Sequence, residues 1–197
     1  LDFPTAWGSG PDEYFDKGRA IIEQWRDDSR IMPAIGPHAP YTVSDGPLET
    51  ARALADETGA RIQIHLHETA FEVAEALKQN GCRPLQRMES VGLLGPDTQC
   101  VHMTQIDDSD IQILTRTGSH IVHCPESNLK LASGLCPVQQ LSKAGINVTL
   151  GTDGAASNND HDMFGEMNTA AMIGKVVADD AAAVTAHQAI AMATLNG

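Results

Sequence analysis

Short apolar runs alternate with longer amphipathic runs along the whole chain, and this alternation limits its fold more than any other feature. Five apolar runs are typical of buried strands, at 30–36, 61–67, 98–102, 119–123 and 146–150. The amphipathic runs predict helices at 12–28, 46–58, 69–80, 84–91, 107–117, 134–144, 161–178 and 185–195. Strands and helices that alternate over short connections predict an α/β fold with a parallel sheet.

Polar residues and glycines mark several of the predicted helix ends. Asp45 is the predicted N-cap of the helix at 46–58, because its carboxylate can accept hydrogen bonds from the first free N–H groups. Gly59 and Gly81 are the predicted ends of this helix and of the next one, since glycine adopts the left-handed backbone that ends many helices.

Two parallel α/β architectures fit this pattern, the doubly wound sheet and the (β/α)8 barrel of the TIM type. No G-x-G-x-x-G fingerprint follows a strand, which disfavours a dinucleotide-binding doubly wound fold. A closed barrel needs eight strands, and five are found. Because the chain opens on LDFPT, which resembles the end of another strand, and stops on TLNG just after a helix, we expect only part of a barrel. An open five-stranded sheet is the alternative.

Charge and cysteine content narrow the possible partners. The formal net charge is −13, which argues against a nucleic acid or an anionic membrane as the main partner and favours a small neutral or cationic molecule. The alternative is that the acidity only keeps the protein in solution. The four cysteines form no C-x-x-C pair, and two of them lie in apolar runs, which indicates structural thiols in a reduced, cytoplasmic protein. No run approaches the length of a membrane span, and no signal peptide is visible.

Nearly every predicted strand leads directly into a histidine or an acidic residue. These residues are, in chain order, His38, His65 with His67 and Glu68, His102, His123, and Asp153. In a parallel α/β fold the carboxyl ends of the strands share one face, and that face carries the active site. A single histidine at such a position is usually structural, but five strand ends with this property indicate a functional rim. Three other histidines, His120, His161 and His187, are predicted to be structural or exposed.

This collection of side chains suits a catalytic metal site. Neutral imidazoles with a carboxylate, and no cysteine cluster, favour Zn²⁺, with Fe²⁺ as the alternative. Such an ion lowers the pKa of a bound water to about 7. Glu68 follows His65 by three residues and could act there as a general acid and base. Alternation along a strand allows His65 and His67 to form a ligand pair, or leaves His67 in the turn, and periodicity does not decide between them.

Two loops at the same rim have alternative interpretations. Asp153 lies in GTDG before AASNN, where small residues allow a sharp turn, so it is either a site residue or part of an ordinary Asp-Gly turn. The polar segment 125–130, which Ser133 and Gly134 continue, could contact a substrate or simply cap the next helix.

Several segments resemble the amidohydrolase superfamily in the order that the family has them. They are GPHAPYT, HLHET, CVHMTQ, HCPESNLKLASG, TLGTDGAASNN and MFGEMNTAA. Within the superfamily they are similar to the branch of the 5′-methylthioadenosine/S-adenosylhomocysteine deaminases, with chlorohydrolase-like, cytosine deaminase-like and guanine deaminase relatives. The resemblance covers nearly the whole chain. It implies a (β/α)8 barrel, of which this chain holds about the fourth to the eighth strand.

The resemblance also implies roles for individual residues. His65 and Asp153 match two ligands of one divalent metal ion, and His67 becomes a bystander. Glu68 matches the glutamate that moves protons, and His102 matches the histidine that orients the reacting group. His38 matches a substrate-contacting histidine. Glu68 and Asp153 would then serve both in catalysis and in substrate binding.

Part of the family's site has no counterpart in residues 1–197. An H-x-H pair from the first strand, the early loops and the flanking β-sandwich are absent, so we expect these residues to be part of one metal-dependent hydrolase barrel domain. With two of four ligands, the isolated chain should bind metal weakly and be inactive. For the intact enzyme the resemblance implies a deaminase that acts on 5′-methylthioadenosine, S-adenosylhomocysteine or adenosine, in a cytoplasmic homo-oligomer. The alternatives are deamination of guanine or 8-oxoguanine, dechlorination of a triazine, and a degenerate barrel that only binds a ligand.

Overall fold

The centre of the computed structural model, which describes residues 1–197, is one parallel sheet of five strands. The strands are β1 (Ala34–Ile35), β2 (Arg61–Leu66), β3 (Thr98–His102), β4 (His120–His123) and β5 (Val148–Leu150). They lie side by side in chain order, and every neighbouring pair is parallel. The order does not reverse at any point, unlike that of a doubly wound sheet, so the topology is of the barrel type. The predicted parallel α/β fold is confirmed.

Ten helices surround the strands. They are α1 (Pro11–Trp25), α2 (Asp45–Thr58), α3 (Ala70–Asn80), α4 (Pro84–Ser90), α5 (Asp108–Thr117), α6 (Pro125–Lys130), α7 (Val138–Lys143), α8 (Ala155–Asn158), α9 (Met163–Ala178) and α10 (Ala186–Ala193). All eight predicted helices are present. The short helices α6 and α8 replace the polar loops that were expected after the fourth and fifth strands.

Two predicted element ends differ from the structure. The first strand is two residues long instead of seven, because Pro33 and Pro37 on either side lack the N–H that a sheet ladder needs. Asp45 is not the N-cap of α2: Ser44 holds that position, and the Asp45 carboxylate pairs with Arg87, 2.7 Å away. Gly59 ends its helix as predicted, with a φ of 73°.

Alternation along the strands separates two apolar layers. Ile62, Ile64 and Leu66 on β2 are fully buried beneath the helices and belong to a cluster of 25 buried residues. The row continues across the sheet, since Ile64 pairs with Cys100 and Cys100 with Ile121. Full burial of such a side chain contributes about 1.5–3 kcal/mol, so this row anchors the strands in register.

The opposite layer is small and leads to the functional rim. Val101, Val122 and Cys124 form a separate buried cluster on the other face of the sheet.

All four cysteines are free thiols, and three of them are buried, as expected for structural thiols. None of the helices combines the length and the apolar character that crossing a membrane requires.

Candidate metal centre

His65 lies near the end of β2, and the segment that follows β1 orients its ring. The carbonyl oxygen of His38 accepts a hydrogen bond from the His65 backbone N–H, at 3.1 Å, and lies 2.8 Å from His65 Nδ1. With Nδ1 as the donor in this contact, Nε2 is the nitrogen that is free to bind a metal ion. The segment after β1 therefore determines which nitrogen of His65 faces the rim.

His102 ends β3 and is almost completely buried. By strand alternation its ring would share the face of Cys100, beneath the helices. Its φ of 77°, followed by 46° at Met103, breaks this alternation in the left-handed region. The His102 ring stacks on that of His65, with the centroids 5.4 Å apart. A left-handed backbone conformation at a residue other than glycine costs about 1–3 kcal/mol, and such residues are concentrated at functional sites in proteins.

Asp153 follows β5, also with a positive φ of 61°. Its Oδ2 accepts hydrogen bonds from the hydroxyl groups of Ser127 and Ser157, each at 2.7 Å. Burial, the largest single cause, would raise the pKa of Asp153, but the hydrogen bonds from the two serines and from the Gly154 backbone N–H, together with the proximity of His102, hold the pKa below its usual value. The carboxylate is therefore ionised at neutral pH.

These three side chains converge on one point. One ligand atom each of His65, His102 and Asp153 lies within 4.8 Å of the others. Burial is the main cause that lowers the pKa of His102, so its imidazole is neutral and can donate a lone pair. Two imidazole nitrogens and a carboxylate oxygen suit Zn²⁺, whose bonds to such atoms are about 2.0–2.2 Å long. The residues present therefore fit a divalent ion, and the His102 ring lies in the same cluster as His65 and Asp153, the two ligands predicted from sequence.

Glu68 lies beside this cluster in a polar frame. Its Oε1 accepts a hydrogen bond from the Ser133 hydroxyl at 2.9 Å, and its Oε2 lies 3.7 Å from His102 Nε2. The Thr104 hydroxyl donates to the Glu68 carbonyl at 2.7 Å. The side chain is thus held with one oxygen towards the site.

Glu72 holds the turn that carries Glu68. The Glu72 carboxylate accepts hydrogen bonds from the backbone N–H groups of His67, at 3.0 Å, and Glu68, at 2.7 Å. It lies in the first turn of α3, whose N-cap Thr69 accepts a hydrogen bond from the Glu72 N–H. The end of β2 is therefore joined to the start of α3 through one buried carboxylate.

His38 lies at the exposed margin of the rim. Its ring centroid is 5.3 Å from that of His65, and its Nδ1 is 2.8 Å from the Thr42 hydroxyl. Burial and the proximity of His65 lower the pKa of His38, which keeps the ring neutral. It is open to a molecule that approaches the cluster.

Two other histidines at strand ends do not join the cluster. His67 is buried, with Nδ1 2.9 Å from the Gln105 carbonyl and Nε2 accepting from the Leu85 N–H at 3.0 Å, so both nitrogens are occupied. This agrees with the bystander role that the resemblance implies. His123 was expected on the rim, but it lies on the helix-covered face that Ile121 shares, because residues two apart in a strand have the same orientation. Burial lowers the pKa of His123 to about 3.

The remaining histidines lie away from the rim. His120 bonds to Asn147 and to the Pro96 carbonyl at the amino end of β4, whereas His161 and His187 are exposed. These positions confirm the structural or exposed roles predicted for them.

Sequence reasoning missed most of the residues that hold the site side chains in place. Ser127 and Ser157 contact Asp153, Ser133 contacts Glu68, and the Asn128 Oδ1 lies 2.9 Å from His102 Nδ1. A proline at the start of α6 and an acid after it are helix-start signals that could have indicated a helix at 125–130. No periodic pattern, however, identifies the partners of its polar side chains.

The fold and the cluster together define a class: an α/β protein of the barrel type with a candidate metal centre at the carboxyl ends of its parallel strands. The profile of the Amidohydrolase family matches residues 6–197. The chain belongs to the amidohydrolase family, and its five strands form part of a (β/α)8 barrel.

Individual relatives support this assignment over the whole chain. The 5-methylthioadenosine/S-adenosylhomocysteine deaminase of Teredinibacter turnerae is 56% identical over 197 residues, which is 100% of this chain and 45% of the relative. An adenosine deaminase structure from Xanthomonas campestris with bound zinc is 50% identical, with a TM-score of 0.97, over 100% of this chain and 45% of its own. A guanine deaminase from C. acetobutylicum with bound guanine has a TM-score of 0.90 over 100% of this chain and 49% of its own, but at 24% identity it supports the fold alone. The chain spans about half the length of the relatives it matches.

Proposed function

We propose that the full-length polypeptide carrying this chain is a metal-dependent hydrolase that deaminates an adenosine-like nucleoside, such as 5′-methylthioadenosine, S-adenosylhomocysteine or adenosine. The observation that carries the proposal is the convergence of His65, His102 and Asp153 on one point, with Glu68 beside them. Relatives at 56% and 50% identity with deaminase names support the reaction class. Water and the nucleoside would yield an inosine-type nucleoside and ammonia.

His65 and Asp153 would hold one divalent ion, Zn²⁺ in the first instance and Fe²⁺ as the alternative. Such an ion supplies Lewis acidity, which activates water as a nucleophile at neutral pH. An H-x-H pair in the remainder of the polypeptide would complete the ligand set. We therefore propose that residues 1–197 are part of one barrel domain, whose first strands and flanking β-sandwich lie outside them, and that this part alone is inactive.

Glu68 would move the protons of the reaction. Its Oε2 faces the cluster, whereas its Oε1 is held by Ser133, so the carboxylate can take a proton from the attacking water without losing its position. It would then deliver that proton to a ring nitrogen of the base. An amine is a poor leaving group that needs protonation, and a proton-shuttling carboxylate meets this need.

Two further residues would act on the tetrahedral centre and the substrate. His102 would orient the reacting carbon, since its Nε2 lies on the Glu68 side of the cluster. Asp153, which is ionised, would accept the proton of the hydroxyl group newly bound to the carbon and pass it to the leaving amine, which departs as ammonia. His38, at the exposed margin, would contact the nucleoside.

An ammonia-release screen tests the proposal. Full-length protein is incubated with adenosine, 5′-methylthioadenosine, S-adenosylhomocysteine, guanine and cytosine, and zinc content is measured in parallel. Ammonia from the adenosine compounds, with close to one metal ion per chain, is the expected result. Release from guanine alone would favour the guanine alternative, and a metal-free, inactive protein would favour a ligand-binding barrel.

A variant pair tests the role of Glu68. Glu68→Gln is expected to lower kcat by a factor of about 10²–10⁴, because an amide cannot transfer the proton. Glu75→Gln is the control, since Glu75 lies on α3 and its carboxylate accepts side-chain hydrogen bonds only from Lys78 and Gln79. Unchanged turnover in Glu68→Gln would exclude this residue as the proton carrier.

Two further properties are proposed from the family resemblance and the unpaired thiols. The protein would be cytoplasmic, in keeping with four free cysteines. It would also form a homo-oligomer, as the family resemblance implies. Its net charge of −13 is in keeping with a main partner that is neither a nucleic acid nor a membrane.

A further inference from the structure

A buried asparagine on α6 contacts the reaction site but has no part in the chemistry proposed above. Asn128 is 1% exposed, and its Oδ1 lies 2.9 Å from His102 Nδ1. The other ring nitrogen, His102 Nε2, is the atom near Glu68, at 3.7 Å from Oε2. Asn128 therefore reaches the rim only through the ring of His102.

We propose that Asn128 is a positioning residue that determines the tautomer of His102. A carbonyl oxygen can only accept a hydrogen bond, so Oδ1 requires the proton of the neutral ring to be on Nδ1. Nε2 then carries a lone pair and presents it to the cluster that His65 and Asp153 complete. The tautomer is inferred from the Asn128–His102 contact, and its role in deamination rests on the proposed function.

The backbone of Asn128 is held on both sides by main-chain hydrogen bonds, whereas Nδ2 of its side-chain amide is buried without a hydrogen-bond partner. Its backbone N–H donates to the Cys124 carbonyl at 3.0 Å, and its backbone carbonyl accepts from the Ser133 N–H at 2.9 Å. Ser133 in turn holds Glu68 through its hydroxyl. Any displacement of Asn128 would therefore affect both His102 and Glu68.

The residue before Asn128 makes a third contact of this kind. Ser127 donates to Asp153 Oδ2 at 2.7 Å, so the segment 127–133 contacts Asp153, His102 and Glu68 through three polar side chains. This segment was expected either to contact substrate or to cap the next helix. In the structure, Ser127, Asn128 and Ser133 contact the side chains of the site.

Kinetics of the zinc-loaded full-length enzyme test the inference. Asn128→Ala is expected to lower kcat by about 10–100-fold, the usual effect of losing a partner that orients a histidine in a metal site. KM should change little, because Asn128 does not reach the rim. Asn128→Asp should restore at least a tenth of the wild-type kcat, because a carboxylate can also accept the Nδ1 proton.

The chain offers a matched control at the other end of the sheet. Asn147 Nδ2 lies 2.9 Å from His120 Nδ1, so Asn147→Ala also removes an asparagine–histidine hydrogen bond. It should leave kcat unchanged. An equal loss of kcat in both alanine variants, or a change in KM alone, would overturn the inference.

Nitrogen-15 NMR of the histidine rings reads the tautomer without any turnover. In the wild type, the His102 signals are expected to show a proton on Nδ1 and none on Nε2. Asn128→Ala should allow the proton onto Nε2, whereas Asn128→Asp should not. A wild-type proton on Nε2 would overturn the inference, and this result would hold even if no nucleoside released ammonia.

Discussion

Two arginine–carboxylate pairs join α4 and its N-cap to α5, and they differ mainly in burial. Arg83 contacts Asp110 through Nε, at 3.0 Å from Oδ2, and through Nη2, at 2.6 Å from the same oxygen. The Asp110 side chain is 0% exposed. Arg116 contacts both oxygens of Glu89 at 2.7 Å, but these side chains are 55% and 32% exposed.

Loss of each arginine should therefore have a different consequence for stability. Arg83→Met leaves the Asp110 carboxylate buried without its cation, which costs about 3–5 kcal/mol of unfolding free energy. It also removes the Arg83 hydrogen bond to the Gln105 carbonyl. Arg116→Met leaves Glu89 in contact with water, and such exposed pairs contribute about 0.2–1 kcal/mol.

Equilibrium urea unfolding of the full-length protein, followed by circular dichroism, measures both losses under the same conditions. The double variant Arg83→Met/Asp110→Asn should be more stable than Arg83→Met alone, because the uncompensated buried charge is gone. Equal losses for Arg83→Met and Arg116→Met would refute the reasoning. So would a double variant that is no more stable than Arg83→Met.

Two other carboxylates yield predictions of the same kind. Glu72→Ala should destabilise the protein by about 1–3 kcal/mol for each buried backbone N–H that loses its acceptor, and a urea midpoint no lower than that of Glu75→Ala would contradict this. Burial raises the pKa of Glu166 from 4.5 to about 7. Between pH 4.5 and pH 7, Glu166 therefore keeps its proton in the folded state and loses it in the unfolded state. Stability contributed by Glu166 should fall by about 3 kcal/mol as pH rises from 4.5 to above 7. Melting temperatures of wild type and Glu166→Gln should therefore diverge in favour of the variant with rising pH, and a pH-independent difference would contradict this.

The sequence alone predicted the elements and the residues that meet at the rim. Apolar spacing, with glycines such as Gly59 and Gly81 as helix ends, indicates the alternating helices and strands because periods of 3.6 and 2 residues follow from local backbone geometry. The positions of His65, His102 and Asp153 after parallel strands predicted their convergence, because those strand ends share one edge. Local rules extend no further than this.

The tertiary structure alone decided which strand-end side chains face the site and what holds them there. His123 follows the alternation of β4 and faces the helices, whereas the left-handed backbone of His102 turns its ring to the rim. Asn128 and Ser133 contact His102 and Glu68 from 26 and 65 residues away in the chain. Contacts below 3 Å between such distant residues depend on strand register and on the packing of α6. The spacing of residues along the chain predicts neither the register nor the packing.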